Sequence, residues 1–102
     1  MKRMMLAGLT VGMLAVLGTA HAQTDALQAR SWAAGCAACH GTNGRSPTGT
    51  DSLAGSDKEQ LLKTLLAFKS GDKPAVVMHQ IAKGYTDEQL AVIAGWFAAQ
   101  KK

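Results

Sequence analysis

GCAACHG, running from Gly35 to Gly41, holds both cysteines of the chain and places a histidine directly after the second. Three chemistries use two thiols at this spacing: a dithiol redox switch, half of a zinc site, or the covalent anchor of a haem. A Cys36–Cys39 disulfide closes so short a loop that it constrains the unfolded chain very little. Zinc could draw on Cys36, Cys39, His40 and His79, but structural zinc sites usually present a second closely spaced pair, and the sequence has none. A thioredoxin-like dithiol belongs at a strand-to-helix junction, and no segment here alternates with a period of two over a useful length. The third chemistry gives every residue of C-x-x-C-H a task.

A haem carries two vinyl groups on adjacent pyrroles, and thiols two residues apart on one helical turn can join both as thioethers. Cys36 and Cys39 are therefore the expected covalent attachments, His40 the expected first axial ligand, and Gly41 the residue that lets the chain leave without a side chain striking the ring. Met78, 38 residues beyond His40, is the expected second axial ligand. The other four methionines, Met1, Met4, Met5 and Met13, fall in a segment expected to be removed. Thioether sulfur favours Fe(II) over the harder Fe(III), so His/Met ligation raises a reduction potential. His79 competes for the same position. On a helix over residues 76 to 82 the two side chains point about 100° apart, and only one can face the iron. The spacing puts Val77 and Ile81 toward the protein core and Ala75, Met78 and Ala82 on a stripe over the ring, which favours Met78 and leaves His79 facing solvent.

The removed segment is residues 1–22. MKRMM supplies a positive head, LAGLTVGMLAVLG an apolar run, and Ala20-His21-Ala22 a small-x-small cleavage site, the pattern of a secretory signal. The apolar run is shorter than the roughly 20 residues of a membrane span, so no membrane anchor is expected after cleavage and the compartment is the periplasm. Cleavage of 22 residues leaves 80 of the 102, and the formal charge falls from +4 to +2 as Lys2 and Arg3 leave. That charge, with no polybasic patch, excludes a nucleic-acid partner. One domain of this size is marginally stable without a staple, and a cofactor can complete its core.

Within residues 23–102, Thr24 or Asp25 can cap a first helix running to about Ala38. GTNGRSPTGTDSLAGS is a loop rich in turn formers, long enough to wrap a ligand. Ser56-Asp57-Lys58-Glu59 reads as a capping box, with Leu61, Leu62, Leu65, Leu66 and Phe68 following at helical spacing up to Gly71. Pro74 restarts the chain, and AVVMHQIAK forms two turns closed by Gly84. Thr86-Asp87-Glu88-Gln89 is a second capping box, ahead of the stripe Leu90, Ile93, Ala94 and Phe97. The expected class is all-α, with three or four helices.

CAACHGTNG, SLAG and MHQIAKGYTDEQLAVIAGWFA together resemble a monohaem class I c-type cytochrome, and within that family the haem subunit of flavocytochrome c sulfide dehydrogenases, near cytochromes c4 and c553. The resemblance covers nearly all of residues 23–102, the cytochrome c domain. It implies a small fold wrapped around one covalently bound haem c, with the first and last helices crossing so that Trp32 or its neighbours meet Gly95, Trp96 and Phe97. It implies a proline carbonyl on the Nδ1 of His40, for which Pro47 is the candidate, although the family proline often sits where this chain has Thr50, Asp51 and Ser52. Leu53 would cover the ring. The partner implied is a sulfide-oxidising flavoprotein that gives electrons one at a time, with a downstream cytochrome or oxidase as acceptor. Lys63, Lys69, Lys73 and Lys83 could ring the exposed edge and steer such partners. With both axial positions filled the chain is a carrier and not an enzyme. The alternatives are a free-standing c553/c5-type respiratory shuttle, a haem sensor or peroxidase with an open iron site, and a dithiol enzyme.

Overall fold

The computed structural model describes Gly8 and residues 17–102, with side chains from Asp25 onward. Of the secretory segment expected over residues 1–22, residues 1–7 and 9–16 lie outside the described residues. The described residues form helices α1 (Leu17–Ala34), α2 (Ala37–His40), α3 (Lys58–Ser70), α4 (Met78–Lys83) and α5 (Asp87–Ala98), with a 3-10 turn at Thr42–Gly44 and no strand. The all-α expectation holds.

Helix α1 begins at Leu17, before the expected cap at Thr24 or Asp25. It also ends early. The low helix propensity of Gly35 divides the expected single helix in two. The Cys36 amide bonds back only three residues, to the Ala33 carbonyl at 3.0 Å, and α2 resumes with the His40 amide on the Cys36 carbonyl at 2.9 Å. The two cysteines thus bracket one tight turn.

Helix α3 is capped by Asp57 and not by Ser56: the Asp57 carboxylate accepts from the Gln60 amide at 2.9 Å. The Asp57 carboxylate satisfies one orphan donor at the helix start, so a single side-chain cap at Asp57 stands in place of the box expected at Ser56. At the other end Gly71 adopts φ +87°, a left-handed cap that L residues rarely take. Helix α4 is shorter than expected. Its cap, Val77, has no side-chain acceptor, and Val76 and Val77 are β-branched, so helix forms only from Met78. Helix α5 has the expected capping box, with the Thr86 hydroxyl accepting from the Gln89 amide at 3.1 Å and the Gln89 carboxamide oxygen accepting from the Thr86 amide at 2.8 Å.

The core is where α1, α3 and α5 meet. Helix α5 buries Leu90, Ile93, Ala94 and Phe97, the stripe expected from spacing, against Leu61 and Leu65 of α3 and Ala33 of α1. Burying each such large side chain is worth about 1.5–3 kcal/mol, so this one stripe carries much of the fold. The first and last helices do pack, but Gly95 is not their point of approach: a Cβ there would meet the Lys58 side chain of α3 at 3.4 Å. Trp96 lies edge-on to Phe97, with ring centroids 5.1 Å apart.

Candidate functional site

The CxxCH turn, the loop after it, and the faces of α3, α4 and α5 enclose a cavity of about 440 Å³. Cys36, Cys39 and His40 line it from α1–α2, Asp51 and Leu53 from the loop, Leu61, Thr64, Leu65 and Phe68 from α3, and Ile93 and Phe97 from the buried stripe of α5. Val77, Met78 and Ile81 line it from the α4 side. The volume lies in the range of small-molecule and cofactor sites, and most of the lining is apolar.

His40 is held in place. Its Nδ1 lies 2.6 Å from the Asp51 carbonyl oxygen. A carbonyl only accepts, so Nδ1 carries the hydrogen and donates, and Nε2 is left with its lone pair. The expected partner was Pro47; the structure gives this contact to Asp51 instead. Two pinches present that carbonyl. The Gly44 carbonyl accepts from the amides of Leu53, at 2.7 Å, and Ala54, at 3.1 Å, and the Ser52 hydroxyl accepts from the Ser46 amide at 2.9 Å. Gly41 has its own reason to be glycine: at φ +84° a Cβ would collide with the Arg45 backbone, so it is packing within the loop that excludes a side chain.

The α4 wall corrects the expected stripe. Val77 and Ile81 face the cavity with Met78, leaving Val77 53% and Ile81 39% exposed, while Ala82 is fully buried against the core. Because α4 starts at Met78, residues 78 and 81 share its cavity face, and the small Ala82 lets the helix approach α3 closely. His79 does not line the cavity. Nor does it face solvent freely, since it is half-buried and its Nδ1 is shielded without a hydrogen-bond partner.

The four lysines expected near the exposed edge differ in their surroundings. Lys69 is paired with Asp87 at 2.7 Å, and Lys63 and Lys83 are absent from the cavity lining. Lys73 alone of the four lines the cavity, with its Nζ 5.1 Å from the centre of the Phe68 ring. Among the described residues no three His, Cys, Asp or Glu side chains converge as a metal site, so the zinc arrangement with His79 does not form. Thr64, which sequence reasoning did not single out, also lines the cavity; its place four residues before Phe68 and three after Leu61, on one face of α3, was the signal for it.

The donor set suits a haem. Two thiols on one turn, an imidazole with a free Nε2, a thioether on a separate element and apolar walls between them match the needs of a covalently bound iron porphyrin. The family model for cytochrome c matches residues 28–98. The chain belongs to the cytochrome c family. It is 39% identical to cytochrome c4 of Pseudomonas aeruginosa over 89 residues, 86% of this chain and 44% of that one. It is 40% identical over 67 residues to the cytochrome subunit of sulfide dehydrogenase of Chlorobaculum tepidum, 66% of this chain and 61% of that one. Cytochrome c-553 of Desulfomicrobium norvegicum is 31% identical over 71 residues, covering 67% of this chain and 89% of that protein. The chain therefore spans less than two thirds of the first two relatives. Members of the family are electron carriers with covalently attached haem c, and haem c is the cofactor here, with Cys36, Cys39 and His40 fitting the family's CxxCH motif. Among the described residues no helix is long and apolar enough to cross a membrane.

Proposed function

We propose that this cytochrome is an exported, periplasmic one-electron carrier, and that it serves as the haem subunit of a complex in which a flavoprotein oxidises sulfide. Cys36 and Cys39 would hold the haem by thioether bonds, and His40 and Met78 would ligate its iron. Haem c supplies a reversible one-electron iron couple and, with both axial positions taken, no place for substrate.

The chain's own residues set the terms of that couple. The Asp51 carbonyl fixes the His40 tautomer so that Nε2 is the ligating atom. Leu53, Val77 and Ile81 give the cavity apolar walls that disfavour the extra charge of the oxidised state, as does the soft sulfur of Met78. The observation that carries the reading is the arrival of Cys36, Cys39, His40 and Met78, from both ends of the domain, at one apolar cavity. The similarity to a sulfide dehydrogenase cytochrome subunit supports the choice of donor.

Two measurements test it. The reduced protein should not bind carbon monoxide rapidly; fast binding means an open iron position and supports a sensor or peroxidase. Purification under native conditions should bring down a flavoprotein whose anaerobic exposure to sulfide reduces this haem. The likeness to cytochrome c-553 over 89% of that protein's length supports a second reading, a free-standing shuttle, which elutes alone near its own mass.

A further inference from the structure

We infer that Ser52 is a positioning residue for His40: its hydroxyl closes the loop that presents the Asp51 carbonyl to the imidazole. The inference rests on His40 being an iron ligand, as proposed above.

The loop runs from Arg45 to Ser52 between two anchors. One is the buried Gly44, whose carbonyl takes the amides of Leu53 and Ala54. Inside the loop the remaining contacts are short-range and long: Ser46 Oγ to the carbonyl and hydroxyl of Thr48 at 3.3 Å, the Thr48 amide to Ser46 Oγ at 3.3 Å, and the Thr50 amide to Thr48 Oγ1 at 3.4 Å. Bonds of that length are weak. The bond from the Ser46 amide to Ser52 Oγ, at 2.9 Å, is different in kind, because it spans the loop and draws together its two sides. It lands one residue from Asp51, whose carbonyl makes the 2.6 Å contact with His40.

Position 51 is not a proline, so no ring stiffens the backbone there. A loop of small polar residues opens readily unless something ties it. The Ser52 hydroxyl is that tie. Since the partner of a ligating histidine tunes its donor strength, loosening the Asp51 carbonyl weakens the imidazole as a donor, favours Fe(II) and raises the reduction potential. Ser52 is solvent-exposed, so its hydroxyl contributes little to the core, and Ser52→Ala should still fold.

The test uses the holoprotein and follows the Nδ1 proton of His40 by NMR in the ferric state, together with the potential. In Ser52→Ala, solvent exchange of that proton should quicken by about tenfold, the equivalent of one lost hydrogen bond, and the potential should rise. Ser52→Thr, which keeps a hydroxyl, should restore both. In the unaltered protein the Ser46 amide and the His40 ring proton should exchange with matching opening constants, a comparison that needs no variant. Unchanged exchange and potential in Ser52→Ala, even with a lowered melting temperature, overturn the inference and leave Ser52 a loop-stability residue; so does a Ser52→Thr protein that behaves like Ser52→Ala, or unmatched opening constants. Absence of a paramagnetically shifted His40 ring resonance from the unaltered protein has a different meaning: it removes the ligand assignment itself.

Discussion

Gly44→Ala should destabilise this domain more than Gly71→Ala, which adds the same methyl at a left-handed glycine with open space around it. At φ +77° an alanine incurs about 1–2 kcal/mol of backbone strain. Its Cβ would also lie 2.7 Å from Cδ1 of Phe97 and 2.9 Å from the Ala54 amide nitrogen. Neither neighbour can yield easily: Phe97 is 1% exposed in the core, and the Ala54 amide is itself bonded to the Gly44 carbonyl at 3.1 Å. Overpacking of this kind adds about 1–3 kcal/mol, for a total of roughly 2–5 kcal/mol. Gly71→Ala is the control, because Gly71 has φ +87° and nothing within 4 Å of an added Cβ, so only the strain applies. Thermal unfolding of the holoprotein, followed by circular dichroism, should separate the two by about 4–8 °C for each kcal/mol of the overpacking difference. A Gly44→Ala protein that melts at or above the temperature of Gly71→Ala would refute the reasoning, since it would mean that the loop and Phe97 are not in tight contact.

Met78→Ala should abolish the weak red-end absorption that accompanies sulfur on ferric haem, while His79→Ala should leave it intact; an unchanged band in the first variant removes Met78 as the sixth ligand. Thr86→Ala breaks the α5 capping box and should lower stability by about 1 kcal/mol in chemical denaturation. Asp87→Asn, which loses the Lys69 pair, should change stability by less than about 1 kcal/mol, and the difference should shrink in high salt, because the Asp87 side chain is 67% exposed.

The parts of the fold that sequence makes legible are those with local causes. The α5 stripe and its capping box follow from residue spacing alone, as does the left-handed stop at Gly71. The CxxCH turn announces its chemistry because all its functional atoms lie within five residues. What spacing cannot give is which way a short element faces. The rotation of α4 depends on where the helix starts, which weak formers at Val76 and Val77 decide, so Val77 and Ile81 join Met78 at the cavity while Ala82 is buried. The partner of His40 is set by loop closure across 11 residues, which no local pattern encodes; Pro47 stands out by residue type, while Asp51 is delivered by the pinches at Gly44 and Ser52. The lysines look alike in sequence, and only tertiary contact assigns Lys69 to Asp87 and Lys73 to the cavity.

The most direct test of the proposed centre is the intact mass of the protein from its native host, taken under denaturing conditions with a thiol reagent present. The account predicts the polypeptide plus one haem, with neither Cys36 nor Cys39 available to the reagent. A bare polypeptide carrying two modified thiols would contradict it.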